Sequence, residues 1–368
     1  MKILCVIDSL GSGGAQRQLV ELAKGFKERG EEVSFLTYHK QAFYEADLVS
    51  NGIMHFCIVE PNYIKRLFRM RAYIRKGNFD VVLSFLQASN FICEFSGFPN
   101  RKWKLIVGER SANPHIFTSL KLRFYRWFHL FADVIVSNSH ENLKMVKKIN
   151  PLLPERKCRV IYNLVNPALF KIQTSSSRQP NDKLHVIVGA SHRRLKNLLG
   201  LVKALMLLNE QEKSKLKISW YGDNIVLPYY DDSYLEALDL IEKQNLGSII
   251  EFFPATREFS NLMANSDAIA LFSLYEGLPN VVCEAMALGK PVLASNVSDI
   301  PILLQHEPTQ TFNPNNVDEI GSAIKNYLHL DKEVLLKIGN HNRQIASTYF
   351  NKEVILDAYL KLMAPNFK

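Results

Sequence analysis

The sequence predicts an α/β protein with two doubly wound domains, each built on a parallel sheet. Three observations support this prediction. Short apolar runs typical of buried strands alternate with helical patterns, a polar segment interrupts the alternation near the middle, and 368 residues suffice for two domains of about 150 to 200 residues. With 47% hydrophobic and 11% aromatic residues, the chain can fill two cores.

The first half contains six apolar runs with the length and composition of buried strands. They span 3–7, 33–37, 81–85, 105–108, 134–137 and 160–162. Helical patterns separate several of them, and the clearest, over 15–29, places Leu19, Leu22 and Phe26 on one face. Because strands that alternate with helices favour parallel pairing, this series predicts a sheet covered on both faces.

A polar, serine-rich segment over 171–183 has no periodicity and predicts a linker. Five more strand-like runs follow it, over 184–189, 217–221, 249–253, 268–273 and 291–295. We therefore expect an N-terminal domain over 1–170, a C-terminal domain over 184–345, and a C-terminal helix within 346–368 that is a candidate to cross back to the first domain. This layout also predicts a cleft between the two domains.

Residues 274–291 (LYEGLPNVVCEAMALGKP) predict a turn that leads from a strand into a helix. The apolar run 268–273 precedes them, Pro279 suits the first position of a helix over 279–288, and Gly289 suits the left-handed position that ends it. Because ligands of parallel sheets gather at the carboxyl ends of strands, the turn before this helix is a candidate binding site.

Two glutamates of this segment can reach that site. Glu276 lies in the turn, and Glu284 lies one helical turn beyond Asn280 on the same face. The backbone N–H groups of Gly277, Leu278 and Asn280 suit a diphosphate at the positive end of the helix. An ionised carboxylate accepts two hydroxyl donors, so Glu284 suits a ribose diol and Glu276 a hexose ring. The alternative is two solvated glutamates that flank an ordinary buried helix.

The complete string resembles the signature of the retaining glycosyltransferases of family 4. The matching residues are Glu276, Gly277, Pro279, Glu284, Ala285, Gly289, Pro291 and Val292. The resemblance implies the GT-B fold, with the acceptor bound by the N-terminal domain and a nucleotide sugar by the C-terminal domain. It implies no cofactor, and we expect a UDP-sugar in preference to a GDP-sugar as the donor.

Residues 11–15 (GSGGA) follow the first predicted strand and open the first helix. Glycines at this place let the backbone approach a phosphate or a sugar closely. The dinucleotide fingerprint G-x-G-x-x-G fails, because Gln16 stands where its third glycine would be. The family resemblance assigns Gly13 and Gly14 to a loop that faces the donor, and the alternative is a tight turn without a binding role.

The first turn of the second domain carries candidate cations for the diphosphate. Lys196 matches the lysine of the family, whereas Ala190 or Ser191 occupies the place of its arginine. A cation is needed because the leaving nucleoside diphosphate develops negative charge. We expect Arg193, or as a second choice Arg194, to supply the missing charge. For Lys196 the alternative is an ordinary surface lysine.

Further candidates lie at other predicted strand ends. Many family members place a histidine near the reacting carbon, and His115 is the candidate by location, with Glu109 or Arg110 as alternatives that orient the acceptor. A merely exposed loop histidine is the simpler interpretation. Gly222 and Pro254 lie where the base and ribose are expected, and we expect them to shape that pocket through backbone contacts.

The net charge of +9 is concentrated in the first half. Residues 1–165 hold 25 basic and 14 acidic residues, whereas 166–368 hold 20 and 22. Two clusters, 63–76 (YIKRLFRMRAYIRK) and 120–131 (LKLRFYRWFHLF), indicate basic amphipathic helices at an anionic membrane surface. The alternative is that their apolar faces pack on the sheet and their basic faces are solvated. Nucleic acid is a weaker candidate, because no DNA- or RNA-binding motif accompanies the charge.

Other features argue against several classes of protein. Five scattered cysteines without a C-x-x-C pair do not suggest disulfides or a zinc site, and they fit a reducing cytoplasm. The first apolar stretch, of five residues, is too short for a signal peptide, and no run of about eighteen apolar residues indicates a membrane span. No metal is expected, because no Asp-x-Asp motif occurs and the close pair Asp231 and Asp232 lies in a polar segment.

Together these features predict a metal-independent retaining glycosyltransferase. We expect it to move a hexose or N-acetylhexosamine from a UDP- or GDP-sugar to a lipid-linked glycan in surface polysaccharide or oligosaccharide assembly. Glu276, Lys196, Arg193 and His115 are its predicted catalytic residues. We expect the protein in the cytoplasm, peripheral on the inner face of the cell membrane. The alternatives are a GT-B epimerase or phosphorylase, or a non-catalytic sugar-nucleotide-binding protein.

Overall fold

The computed structural model describes residues 1–171, 183–222 and 232–364. The chain forms two compact units: residues 1–164 together with the segment from Lys352 onward, and residues 165–351. Each unit contains a parallel sheet with helices on its faces, which confirms the predicted fold class of two doubly wound domains. Most of the predicted linker over 171–183, and Asp231 of the aspartate pair, lie outside the described residues.

In the part that the structure describes, the first unit has a seven-stranded sheet in the order β3-β2-β1-β4-β5-β6-β7, with all neighbours parallel. Its strands are β1 (Lys2–Val6), β2 (Glu32–Thr37), β3 (Met54–Cys57), β4 (Val81–Phe85), β5 (Lys104–Glu109), β6 (Val134–Ser137) and β7 (Cys158–Val160). The connecting helices are α1 (Gly14–Glu28), α2 (Glu45–Ser50), α3 (Tyr63–Lys76), α4 (Gln87–Ser96), α5 (Leu120–Phe128) and α6 (His140–Ile149).

The central strands of this sheet are buried on both faces, as expected for parallel strands between two layers of helices. In the register of β1 and β4, Ile3 lies opposite Val81 and Cys5 opposite Leu83. One core packs the sheet against α1, and a second core packs its other face against α3, α4 and α5. The continuous apolar runs of the sequence are therefore strands covered from both sides.

The described part of the second unit has a six-stranded parallel sheet in the order β10-β9-β8-β11-β12-β13. Its strands are β8 (Leu184–Gly189), β9 (Leu216–Tyr221), β10 (Ile250–Phe253), β11 (Ala268–Leu271), β12 (Val292–Ser295) and β13 (Thr311–Phe312). Its helices are α7 (Pro167–Lys171), α8 (Leu198–Leu205), α9 (Glu210–Ser214), α10 (Asp232–Lys243), α11 (Phe259–Ala264), α12 (Asn280–Leu288), α13 (Ile300–Leu303), α14 (Val317–Leu328) and α15 (Lys332–Tyr349).

Two strands lie outside the predicted runs. β3 forms one edge of the first sheet and exposes Met54 and Phe56, so it lacks the burial that marks the central strands. β13 forms an edge of the second sheet and has only two residues. Exposure and shortness remove the apolar signal on which strand prediction depends.

Helix α16 (Lys352–Met363) follows the second unit in the chain but belongs to the first. Leu356 joins the core on the α1 side of the sheet, and Asp357 pairs with Arg29, the residue after α1, at 3.0 Å. A Cβ on Gly25 of α1 would lie 2.6 Å from the Leu356 methyl groups, so the two helices are in close contact. Among all helices in the described ranges, none is long and apolar enough to cross a membrane.

Candidate functional site

The strand order of the second sheet reverses between β8 and β11. β9 lies on one side of this central pair and β12 on the other, so the connections that leave β8 and β11 diverge. Such a reversal opens a crevice at the carboxyl edge, which is the usual ligand position in open parallel sheets. Lys196 belongs to the loop after β8, and Glu276 belongs to the loop after β11.

Lys196 and Glu276 meet at this edge. Lys196 Nζ donates to Glu276 Oε1 at 2.5 Å, and the two side chains are 17% and 15% exposed. A backbone hydrogen bond from Leu274 N to Leu195 O, 2.8 Å long, joins the same two loops. The structure therefore places the predicted diphosphate cation directly against the predicted sugar-binding carboxylate.

The loop after β8 ends in a left-handed residue. Arg194–Lys196 form a single 3-10 turn, and Asn197 has φ 59° and ψ 38° before α8 begins at Leu198. Asparagine adopts this conformation more readily than most residues that carry a Cβ. Its Nδ2 donates to Pro314 O at 2.9 Å, which ties the loop to the segment after β13.

The two arginines of this loop are exposed, and Arg193 Nε donates to Ser191 Oγ at 3.2 Å. Ala190, one of the two residues at the place where the family resemblance calls for arginine, is buried, and both of its backbone polar groups bond to residues of β9. The first position of the loop is thus fixed by packing on the sheet. Its cationic side chains come later, as Arg193, Arg194 and Lys196.

Helix α12 begins one residue later than predicted. Pro279 is the N-cap residue, with φ −74° and ψ 120°, rather than the first helical residue. Its extended ψ is the conformation that a residue adopts just before the first turn. Gly289 ends the helix with φ 73°, as predicted. The positive N-terminal end of α12 adjoins the loop that carries Gly277 and Leu278.

Glu284 lies in α12 and is only 4% exposed, whereas Asn280, one turn earlier, is half-buried. A carboxylate is rarely buried this far unless other groups satisfy it. The alternative of two solvated glutamates is therefore wrong, because both Glu276 and Glu284 are largely withdrawn from solvent.

Gly222 and Pro254 lie at neighbouring strand ends. Gly222 follows β9 and donates its N–H to Phe253 O at 2.9 Å, and Pro254 follows β10 and is exposed. A Cβ on Gly222 would lie 1.9 Å from Ala190 O, so the close approach of the two backbones requires glycine. The rings of Tyr221 and Phe253 stack beside them with centroids 4.9 Å apart, a pair that only the strand register reveals.

In the first unit, the strand order reverses between β1 and β4, and Gly13 and Gly14 follow β1. Gly13 is the N-cap of α1, with φ −74° and ψ 155°, and Gly14 is the first helical residue. A Cβ on Gly13 would lie 2.2 Å from Gln16 Oε1, and Gln16 Nε2 donates to Asp8 Oδ1 at 2.8 Å. The glycines thus form a compact turn at the carboxyl edge of the first sheet.

His115 lies in the 3-10 turn Pro114–Phe117, in the segment after β5. Its side chain is exposed, and its Nδ1 lies 2.9 Å from Thr118 Oγ1. Asn113 caps the turn by accepting a hydrogen bond from His115 N at 2.9 Å. The turn is held to the unit by Ile116, which is buried against Met145 and Ile149 of α6.

Glu109, an alternative to His115, belongs to a buried ionic network. Arg126 Nη2 donates to Glu109 Oε2 at 2.9 Å, and the His129 ring bridges Glu109 and Glu94 at 2.9 and 2.6 Å. All four side chains are at most 2% exposed. Burial lowers the pKa of His129, but Glu94 and Glu109 outweigh this effect and raise it to about 9. Arg126 is therefore buried and belongs neither to the predicted membrane-facing surface of cluster 120–131 nor to the alternative solvated face.

A cavity of about 910 Å³ opens at the opposite, amino-terminal edge of the first sheet. Its charged lining residues lie at or just before the starts of strands: Asp80, Lys102, Lys104, Asp133, Arg156 and Lys157. The predicted site residues do not line this cavity. It is therefore separate from the loops described above.

Two protein-family models match the chain. The model described as Glycosyltransferase Family 4 matches residues 12–169, and the model described as Glycosyl transferases group 1 matches residues 170–345. The two matches adjoin and together include nearly all strands of both sheets. The chain is a family 4 glycosyltransferase.

Curated relatives match this enzyme over almost its whole length. It is 24% identical to the GalNAc-alpha-(1->4)-GalNAc-alpha-(1->3)-diNAcBac-PP-undecaprenol alpha-1,4-N-acetyl-D-galactosaminyltransferase of Campylobacter jejuni, over 99% of the enzyme and 98% of the relative. It is 20% identical to the N-acetyl-alpha-D-glucosaminyl L-malate synthase of Bacillus anthracis, over 94% and 92% of the two chains.

Solved structures share the fold of the enzyme. Anabaena HepE, in complex with UDP and glucose, superposes with a TM-score of 0.84 at 19% identity over 99% of both chains. Sucrose-phosphate synthase of Thermosynechococcus elongatus superposes with a TM-score of 0.80 at 16% identity over 98% of both chains. These likenesses confirm the expected GT-B fold.

Proposed function

We propose that this enzyme transfers a hexose or N-acetylhexosamine from a UDP-sugar to a lipid-linked glycan, with retention of configuration and without a metal. The Lys196–Glu276 pair is the observation that carries the proposal, because it joins a cation and a carboxylate where the strand order reverses. The name of the Campylobacter relative specifies a PP-undecaprenol-linked glycan, and HepE was solved with UDP-glucose as well as with UDP. Both support the proposed substrates.

The donor diphosphate lies at the N-terminus of α12 in this proposal. The backbone N–H groups of Gly277, Leu278 and Asn280 and the helix dipole favour negative charge there. Lys196, with Arg193 as a second cation, neutralises the charge that develops on the leaving nucleoside diphosphate. These positive groups take the place of a bound metal, so we expect transfer to persist in the presence of a chelator.

The two glutamates hold the sugars of the donor. Glu276 accepts hydrogen bonds from hexose hydroxyls near the anomeric carbon, and Glu284 accepts them from the ribose diol. The burial of Glu284 supports this role, because a fixed acceptor loses little freedom when it binds. Gly222 and Pro254, at adjacent strand ends, border the base through their backbones.

From the first unit, we assign Gly13 and Gly14 to donor binding and His115 to the acceptor. The turn formed by Gly13 and Gly14 supports their assignment to donor binding, because it follows β1, where the strand order of the first sheet reverses. The exposed imidazole of His115 supports a contact with an incoming hydroxyl group.

Thermal-shift measurements with UDP- and GDP-sugars test donor binding, and acceptor-dependent release of UDP tests transfer. We expect stabilisation by a UDP-sugar and release of UDP that continues in EDTA. NMR of the product should show the anomeric configuration of the donor. Failure of every nucleotide sugar to stabilise the protein, or an inverted linkage, would contradict the proposal.

Helices α3 and α5 expose apolar side chains that neither core covers. On α3, Ile64 and Phe68 are 64% and 55% exposed, and on α5, Leu120 and Phe124 are 79% and 52% exposed. Exposed apolar groups that cluster in this way mark interaction surfaces. We call these side chains and the basic residues between them the α3–α5 surface.

Exposed basic residues lie among these apolar groups, namely Lys65, Arg69, Lys121 and Arg123. The hydroxyl oxygens of Tyr63 and Tyr125 approach to 3.3 Å, so the two helices adjoin. We propose that the α3–α5 surface binds an anionic membrane and holds the enzyme in the cytoplasm, on the inner face of the cell membrane. This location brings it to a lipid-linked acceptor.

Sedimentation with vesicles that contain phosphatidylglycerol tests this surface. We expect the double variant Phe68→Ser/Phe124→Ser to bind at least about tenfold more weakly than wild type, because about 0.8 kcal/mol is lost for each buried methylene equivalent. Leu235→Ser, which changes an apolar residue 46% exposed in the second unit, is the matched control and should bind like wild type. Equal binding by the double variant would favour solvated helices without a membrane role.

A further inference from the structure

A residue outside the predicted site joins two loops at the carboxyl edge of the second sheet. Ser298 lies in the loop after β12 and donates a hydrogen bond from Oγ to Gly277 O. Gly277 belongs to the loop that carries Glu276 and leads into α12. The hydroxyl of Ser298 therefore contacts the backbone to which the proposed function assigns the donor diphosphate.

The backbone of Ser298 is left-handed, with φ 55°. A residue with a Cβ adopts this conformation at an energetic cost, and such positions persist where the surrounding structure holds them. The loop is held on the preceding side, because Asn296 N donates to Phe312 O and Val297 N donates to Ser295 O, both at 2.8 Å. These bonds fix the position from which the Ser298 side chain reaches Gly277.

Left-handed residues serve different purposes in this unit. Asn197 and Ser298 both lie in loops at the carboxyl edge, and each donates a side-chain hydrogen bond to a carbonyl of a neighbouring loop, at Pro314 and Gly277. Asn245 is also left-handed, with φ 52°, but it lies in the connection between α10 and β10, at the opposite edge. Asn245 therefore provides a matched control for the backbone conformation.

We infer that Ser298 is a positioning residue for the donor diphosphate. The carbonyl of Gly277 and the N–H of Leu278 belong to one planar trans peptide, so they point in opposite directions. A hydrogen bond that fixes the Gly277 carbonyl also fixes the direction of the Leu278 N–H, at the N-terminus of α12. This inference rests on the proposed function, which places the diphosphate at that N–H.

Two substitutions separate the hydroxyl from the backbone conformation. Ser298→Ala removes the hydroxyl and keeps a Cβ in the left-handed region, whereas Ser298→Gly removes the hydroxyl and relieves the conformational cost. We expect both variants to bind UDP about five- to tenfold more weakly, as the loss of one hydrogen bond predicts. Ser298→Gly should keep the Tm of wild type. Asn245→Gly should keep both the Tm and the UDP affinity of wild type.

Calorimetric titration with UDP and with uridine tests the inference, because uridine lacks the diphosphate. Weaker binding of UDP with unchanged binding of uridine in Ser298→Gly is the expected result. If wild type binds UDP and Ser298→Gly binds it equally tightly, or loses uridine to the same extent, the positioning role is overturned and the proposed function stands. If wild type binds neither UDP nor a UDP-sugar, the proposed function falls and this inference falls with it.

Discussion

Removal of the cation from the Lys196–Glu276 pair should weaken donor binding in a way that a second substitution relieves. In Lys196→Met, the carboxylate of Glu276, which is 15% exposed, loses its cationic partner. A phosphate oxygen that contacts Lys196 Nζ at about 2.8 Å lies within about 5.3 Å of Glu276 Oε1, because the pair itself is 2.5 Å long. The variant therefore leaves two negative groups close together.

The size of the effect follows from this distance. Two unit charges about 5.3 Å apart repel by roughly 3 kcal/mol at an effective dielectric constant of about 20. We expect Lys196→Met to weaken UDP-sugar binding by at least about 3 kcal/mol, or at least roughly 150-fold, because loss of the lysine's attraction leaves this repulsion uncompensated. Neutralising the carboxylate in Lys196→Met/Glu276→Gln should restore about 1 to 2 kcal/mol of this loss.

Calorimetric titration of a UDP-sugar into wild type, both single variants and the double variant measures this coupling as a double-mutant cycle. The expected result is that the double variant binds the donor at least about fivefold more tightly than Lys196→Met does. A double variant that binds no more tightly than Lys196→Met would refute the reasoning, because repulsion between Glu276 and the diphosphate would then contribute nothing to the loss.

Two further predictions concern stability. Gly222→Ala brings a Cβ to 1.9 Å from Ala190 O and should lower the Tm by several degrees in scanning calorimetry, whereas Gly247→Ala, which meets no atom within 4 Å, should leave it unchanged. The pKa of His129 is raised from 6.5 to about 9. The imidazole therefore contributes fully to the stability of the fold below pH 6.5, and this contribution is lost as the pH rises through 9. Urea unfolding should therefore show a smaller loss of stability between these pH values in His129→Gln than in wild type, and parallel curves would exclude this linkage.

Much of the fold could be predicted because the central strands are buried on both faces and therefore appear as continuous apolar runs. The predicted strands 81–85, 134–137 and 184–189 have the bounds of β4, β6 and β8. The edge strands β3 and β13 give no such signal, because one is exposed and the other has two residues. The local pattern of apolar residues thus predicts the strands that the sheet buries. An edge strand is defined instead by its pairing with a neighbouring strand.

The candidate site, too, could be predicted from the sequence only in part. Glu276 and Lys196 could be selected from local motifs, but their contact depends on β8 and β11 being neighbours, which no local pattern specifies. Arg126 lies in α5 among exposed basic residues and His129 directly follows this helix, and the burial of both depends on carboxylates from β5 and α4. The hydrogen bond from Ser298 Oγ to Gly277 O likewise depends on the order of the strands, because the two residues lie in loops that follow different strands.

Acceptor-dependent release of UDP by wild type and Glu276→Gln tests the central claim most directly. If the Lys196–Glu276 pair is the centre of a nucleotide-sugar site, wild type should release UDP from a UDP-sugar only when a glycan acceptor is present. Glu276→Gln should then lower this rate by at least about 100-fold, while the Kd of the donor changes less than about tenfold. A Glu276→Gln enzyme that releases UDP at the wild-type rate would contradict the account.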